Sequence, residues 1–290
     1  MAVTSSNPML KEEFFRPQTA APRSTIDARA DQAAWGGAGV PGTSDHRMNP
    51  YVDTTTRTMT MGGTVSATGL LLLLILVGAI FGWAQVTVTT ATDLIGRSIS
   101  SVQLPTGLLI GSIIGAFVCV IITRFKPVTA MFLGVPYALA EGVALGMISH
   151  AYDVQSKGIA IEAVLATLGV FTLMLVLYGL RVLRATPKFV KGVIAATGGI
   201  CLMYVFAIVM QLFGHAPSFL HSGSPLSIGL SVVIVAIAAF NLIIDFDFIE
   251  RGSQQGLPKH MEWYAAIGLV VTIVWLYLEL LRLLSNLNRR

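Results

Sequence analysis

The sequence predicts an all-α polytopic membrane protein, a bundle of seven transmembrane helices preceded by a soluble tail. Three observations carry this. Only 12% of the 290 residues are charged while 54% are hydrophobic, so the chain lacks the charge needed to cover a water-facing surface of ordinary composition. The apolar residues fall into runs near the 17 to 25 needed to cross a hydrocarbon core of about 30 Å. The basic residues sit in short connections between those runs instead of forming a patch with interleaved aromatics, which reads as orientation signals and excludes nucleic acid as a partner.

Residues 1–62 are rich in Pro, Gly, Thr, Ala and Arg and show neither helical nor strand periodicity, so they predict a disordered tail with no signal peptide. The transmembrane domain is expected over 63–286. The first span runs from about Ser66 to Trp83 around the core Leu70–Val77, with Trp83 as an interfacial anchor. A Thr-rich connection carrying Asp93 and Arg97 follows. The second span covers Leu104 to Ile122, and the link Arg124-Phe125-Lys126-Pro127 leads into a third span ending near His150, with Pro127 suited to its first turn. The fourth covers about Ile159 to Leu180 and the fifth about Phe189 to Phe213, separated by the most basic linker, with Arg181, Arg184, Lys188 and Lys191. Ser224-Pro225 opens a sixth span reaching Ile244, and the seventh covers about Met261 to Leu284.

Ten Lys and Arg residues flank the spans on the side of the tail and the even-numbered connections, against five on the other, namely Arg97, Lys157, Arg282, Arg289 and Arg290. The positive-inside rule then places the amino terminus in the cytoplasm and, with an odd number of spans, the carboxyl terminus outside. A multi-pass protein of the plasma membrane is expected. The terminal arginines leave a re-entrant seventh segment as the alternative.

Ionisable residues within spans mark candidate sites, because a lone charge in hydrocarbon is kept only where it faces the bundle or water. Glu141 lies beside Gly142 and Gly146, a GxxxG that permits close helix approach; it either fastens two helices or serves an ion. Asp245 and Asp247 end the sixth span, two positions apart and so separated by about 200° of helix rotation. Asn241, four residues before Asp245, shares its face and extends an inward polar stripe, whereas Asp247 can reach Arg251 as a surface ion pair. Asp245 is therefore the stronger site candidate. Glu279 has Arg282 three residues on, near the end of the last span, where long side chains reach the interface.

His150, His215, His221 and His260 fall near span ends on both sides and do not gather into one metal site. Cys119 and Cys201 lie inside apolar runs without CxxC spacing and are expected as small core-filling thiols, with no disulfide or zinc role. No GxSxG, HExxH, Walker A or GxGxxG stands in a suitable context and no Lys lies mid-span, so neither an enzyme nor an opsin is expected, and no cofactor. No internal duplication supports a secondary transporter.

Glu141-Gly142-x-x-Leu145-Gly146 in the third span, Asp245 closing the sixth, and Tyr277-Leu278-Glu279-Leu280-Leu281-Arg282-Leu283-Leu284 closing the seventh together resemble the Bax inhibitor-1 family in its bacterial YccA-like branch. The resemblance covers about residues 60–286 and is closest from Phe240 to Leu284. It implies a central seventh helix and a pH-sensitive calcium-leak function, in which a carboxylate of the sixth helix bonds one on the seventh and shuts the cytoplasmic side of a pore. Asp245 fits the first partner. In register with the final Leu-Leu-Arg segment, Thr272 stands where the second acid is expected, so the sequence departs from a paired-carboxylate latch. Asp245 then lacks the like-charge neighbour that would split its titration. Glu279, seven residues past Thr272 and about 10 Å along the axis, shares nearly the same face.

These residues make a passive cation pathway the leading expectation, with Ca²⁺ as the transported ion, because oxygens from Asp245, Glu141 and Asn241 suit a hard cation. The alternative is a non-conducting regulator that binds membrane proteases or stress complexes through the Arg-containing tail.

Overall fold

The computed structural model describes residues 58–92, 98–214 and 224–288. Arg47, Arg57, Asp93, Arg97, His215, His221, Arg289 and Arg290 lie outside these residues, as does almost all of the expected tail.

Seven helices among the described residues are long and apolar enough to cross a membrane. They are α1 (Met61–Ala84), α2 (Thr106–Phe125), α3 (Ala130–Gln155), α4 (Ile159–Gly179), α5 (Pro187–Leu212), α6 (Pro225–Gln254) and α7 (Met261–Asn288). The chain is thus a multi-pass, all-α membrane protein surrounded by lipid. Its periphery agrees: Leu73, Leu76, Ile80 and Phe81 of α1 and Ile114 and Phe117 of α2 are exposed, a surface tolerable only where the solvent is apolar.

The helix starts follow from local chemistry. Thr60, Thr186 and Ser224 each occupy an N-cap, with their hydroxyls accepting from the backbone N–H three residues on. Pro187 and Pro225 then take the first helical position, where the missing N–H costs nothing. Pro127 opens a 3₁₀ turn, Pro127–Thr129, that runs directly into α3.

The seventh segment is one continuous helix of 28 residues, so the re-entrant alternative is set aside. Helix α7 packs against α1, α3, α4 and α6, and half of its apolar stretch is buried, the largest share of the seven. Around it, α1 and α3 cross most closely. Backbone atoms of Leu139 and Val143 sit where a Cβ on Gly78 or Gly82 would lie, and backbone atoms of Ile75 and Ala79 where one on Gly142 or Gly146 would lie. Two small-xxx-small faces therefore interlock, the expected GxxxG of α3 finding its match in Gly78-x-x-x-Gly82 of α1.

Three differences from the sequence reading have physical causes. The Thr-rich connection after α1 is a two-stranded antiparallel ribbon, β1 (Thr87–Thr92) pairing β2 (Ser98–Gln103) from Thr87 opposite Gln103 to Thr92 opposite Ser98; its β-branched residues favour strand over coil. Helix α6 runs beyond the hydrophobic span that ends at Ile244, to Gln254, because the polar residues that end its hydrophobicity do not end its hydrogen bonding. Its 30 residues extend about 45 Å, more than the hydrocarbon core needs. Cys119 packs at the margin of the core, but Cys201 is exposed on the outer side of α5, so only one of the two thiols fills space inside; an apolar thiol facing lipid is no penalty.

Candidate functional site

Asp245 lies in the last third of α6 and faces the hydroxyl of Thr272 on α7, near enough for the two side chains to interact. Thr272 also donates to the Gly268 carbonyl at 3.3 Å. Among the described residues, one carboxylate oxygen of Asp245, Oδ2, is buried without a hydrogen-bond partner, and so is the Thr123 hydroxyl of α2. Both line a cavity of about 330 Å³ whose walls are otherwise mainly apolar, with Val120, Ile244, Phe248, Ile267 and Val271. Arg124 and Tyr264 also line it, the guanidinium donating to the Tyr264 hydroxyl at 3.1 Å. The last turn of α2, the lower part of α6 and the first turns of α7 thus meet around one unsatisfied carboxylate.

The other expected site residues do not join it. Asn241 does not extend the stripe from Asp245: its amide donates to Thr197 Oγ1 of α5 at 2.8 Å and to the Ile237 carbonyl at 2.9 Å. Glu141 is half-buried on α3, one turn after Tyr137. Helices α3 and α6 both pack on α7 and not extensively on one another, so the central helix keeps Glu141 apart from Asp245. Among the described residues no cluster of three or more His, Cys, Asp or Glu side chains suits a bound metal. Asp247 makes the ion pair with Arg251, Nε to Oδ2 at 2.9 Å, turned away from the Asp245 cavity.

Glu279 differs most from expectation. It does not reach toward the interface with Arg282 but is only 2% exposed, enclosed by three donors. Tyr204 of α5 donates to Oε1, Trp275 Nε1 donates to the same oxygen at 3.3 Å, and Arg282 Nη1 approaches Oε2 at 3.2 Å. Arg282 also donates to the Tyr204 hydroxyl and stacks over its ring with the guanidinium carbon 5.0 Å from the centroid. The pairing with Arg282 was legible from i, i+3 spacing; Tyr204 was not, because it is 75 positions away.

A second group missed by sequence reading holds the start of α1. Glu262, 3% exposed in the first turn of α7, accepts from the backbone N–H and the hydroxyl of Thr60 at 2.8 Å each and from Lys259 Nζ at 2.8 Å. Just before it, Met59 N–H donates to the Leu257 carbonyl and Thr58 bridges Pro258. Tyr178 of α4 donates to Glu250 of α6. At the opposite end, His150 stacks on Trp83 with centroids 4.5 Å apart and donates from Nδ1 to its carbonyl at 2.9 Å.

No curated protein and no solved structure matches the chain significantly. A family model described as Bax inhibitor 1 like matches residues 7–289, so the match takes in the tail that the resemblance read from the spans had left out. With seven crossing helices and nearly the whole chain matched, this protein belongs to the Bax inhibitor 1-like family.

Proposed function

We propose that the chain is a passive cation pathway of the plasma membrane, most suited to Ca²⁺, controlled where α6 meets α7 at Asp245 and Thr272. The observation that carries this reading is the unpartnered Oδ2 of Asp245 in a cavity at the junction of three helices. A buried carboxylate oxygen without a donor is expensive to keep, and a hard cation in transit is one group that repays it. The excess of basic residues beside this end supports the reading that it faces the cytoplasm together with the amino terminus. Ca²⁺ would be cargo at a single carboxylate, passing a hydroxyl in place of a second acid. The pathway then lacks the shared proton of a carboxylate pair, and helix separation, not proton sharing, opens it.

The test is Ca²⁺ entry into vesicles loaded with a calcium-sensitive dye. Vesicles carrying the protein should pass Ca²⁺ above protein-free vesicles, and Asp245→Asn should lower that flux severalfold. Background flux in both removes the channel reading.

One observation favours a second reading, a non-conducting regulator that binds a membrane protein partner through its tail. Residues 58–60, where the tail joins α1, are bonded to the α6–α7 connection through Met59 and Leu257 and to the first turn of α7 through Thr60 and Glu262. A partner held by the tail would pull on the two helices that carry Asp245 and Thr272. Deleting residues 1–57 separates the readings: a pore still conducts, while a regulator loses its co-purifying partner.

A further inference from the structure

The cavity that holds Asp245 has an uneven chemistry. Its walls are built mainly from the side chains of Val120, Ile244, Phe248, Ile267 and Val271, which offer a passing hydrated ion nothing. Yet two of the residues that line it, Asp245 of α6 and Thr123 of α2, each carry a buried oxygen, Oδ2 and Oγ1, with no hydrogen-bond partner among the described residues. The state of Thr123 is unusual on local grounds. A threonine inside a helix ordinarily returns its hydroxyl to the carbonyl four residues back, as Thr68, Thr167 and Thr272 do here at 2.9, 2.7 and 3.3 Å. Thr123, only 2% exposed, does not. Its hydroxyl has no acceptor among the described residues, on a residue that lines the cavity.

A ligand that satisfies both oxygens needs at least two N–H or O–H donors on one small head, a positive charge to balance the carboxylate, and an apolar body for the walls. An alkylammonium has all three, with three donors on one nitrogen. A volume of about 330 Å³ lies at the small end of ligand pockets and suits one such molecule. The second charged group of the wall, Arg124, does not occupy the position, since its guanidinium is held by the Tyr264 hydroxyl.

We propose that this cavity binds a primary ammonium carried on an apolar body, with the head between Asp245 Oδ2 and Thr123 Oγ1 and the chain along Val120, Phe248 and Val271. The bilayer offers two sources, a lipophilic amine dissolved in it or the headgroup of an aminophospholipid. The inference uses the same carboxylate as the proposed pathway but does not need conduction, and it is tested without an ion gradient.

The experiment is equilibrium binding of radiolabelled decylamine to the full-length protein in phosphatidylcholine nanodiscs, with decanol as the uncharged control. Saturable binding near one decylamine per chain is expected, with decanol at the level of empty discs. Asp245→Asn should weaken it at least tenfold and Thr123→Val about threefold, while Asp247→Asn, two residues away on the opposite face, should leave it unchanged. Thr123→Val alters one exchangeable hydroxyl, so it remains informative if Asp245→Asn folds poorly by circular dichroism. Discs containing phosphatidylethanolamine assign the source: lowered decylamine binding names the aminophospholipid headgroup, and unchanged binding names the dissolved amine. Equal binding of decanol, absence of saturable binding, or full binding by both cavity variants would overturn the proposal. A protein that binds decylamine but passes no Ca²⁺ loses the channel reading and keeps this one.

Discussion

Helix α7 touches two carboxylates in opposite conditions. Toward its carboxyl end, Glu279 is fully enclosed and saturated, its oxygens taken by Tyr204, Trp275 and Arg282. Near its middle, Asp245 of α6 leans on Thr272 with one buried oxygen unclaimed among the described residues. Both are intramembrane acids, and by sequence alone both qualify as functional. The difference lies in what each has left over. A carboxylate whose lone pairs are committed to three helical neighbours holds those neighbours together and has little to offer a ligand. A carboxylate with an orphan oxygen beside a cavity costs stability and can repay it by binding.

The comparison is broken most forcefully at Glu279. Glu279→Ala strips Tyr204, Trp275 and Arg282 of their acceptor and leaves a buried guanidinium without its counter-charge, a loss of about 3 kcal/mol or more by analogy with buried pairs in soluble proteins. Unfolding in mixed micelles with increasing SDS should show it as less stable than Tyr204→Phe, Asp245→Asn, Thr272→Val or Asp247→Asn. If its midpoint stays at that of the wild type, the network is not the structural fastening that its geometry suggests.

Tyr204→Phe is the sharper tool. It retains the ring under Arg282 and removes only the hydroxyl that joins α5 to α7. The expected cost is about 1 kcal/mol, in the range of measured hydrogen bonds between membrane helices. A double-mutant cycle with Glu279→Gln should return a coupling of the same order, and none if the two side chains act separately.

How legible these two regions were in the sequence follows from the length scale of the interactions. The spans were readable because membrane crossing is a property of consecutive residues, and Asp247–Arg251 was readable because i, i+4 neighbours share a helix face. Thr272 opposite Asp245 came from the register of the seventh helix within a family resemblance. Tyr204 with Glu279, Thr123 with Asp245, and Thr60 with Glu262 were not readable, since each pair is brought together only by packing of helices far apart in the chain. Glu141 and Asn241 misled for the same reason. Periodicity gives the face a residue occupies but not which helix meets that face, and α7 intervenes for one while Thr197 captures the other.

At Asp245 the expected order of effects is reversed. Asp245→Asn removes a buried acid that has no full set of partners, so stability should change by less than about 1 kcal/mol in either direction. Calcium flux and decylamine binding should nonetheless fall. A large destabilisation without change in either function would make Asp245 a second fastening and erase the contrast with Glu279. Thr272→Val should leave stability nearly constant while altering flux, because besides its contact with Asp245 the hydroxyl makes only a long 3.3 Å bond to Gly268.

The smallest effect is expected two residues further on. Asp247 pairs with Arg251 at 2.9 Å, but the arginine side chain is 59% exposed, and α6 by that point has run past the length a bilayer core requires. Water and salt therefore screen the pair, and Asp247→Asn should cost about 0.5 kcal/mol or less, a cost that shrinks further as salt is raised. Flux and decylamine binding should match the wild type. Were Asp247→Asn to abolish either one, the carboxylate that matters would be the wet one at the end of α6, and the orphan oxygen of Asp245 would mark only a place where the packing around the cavity is incomplete.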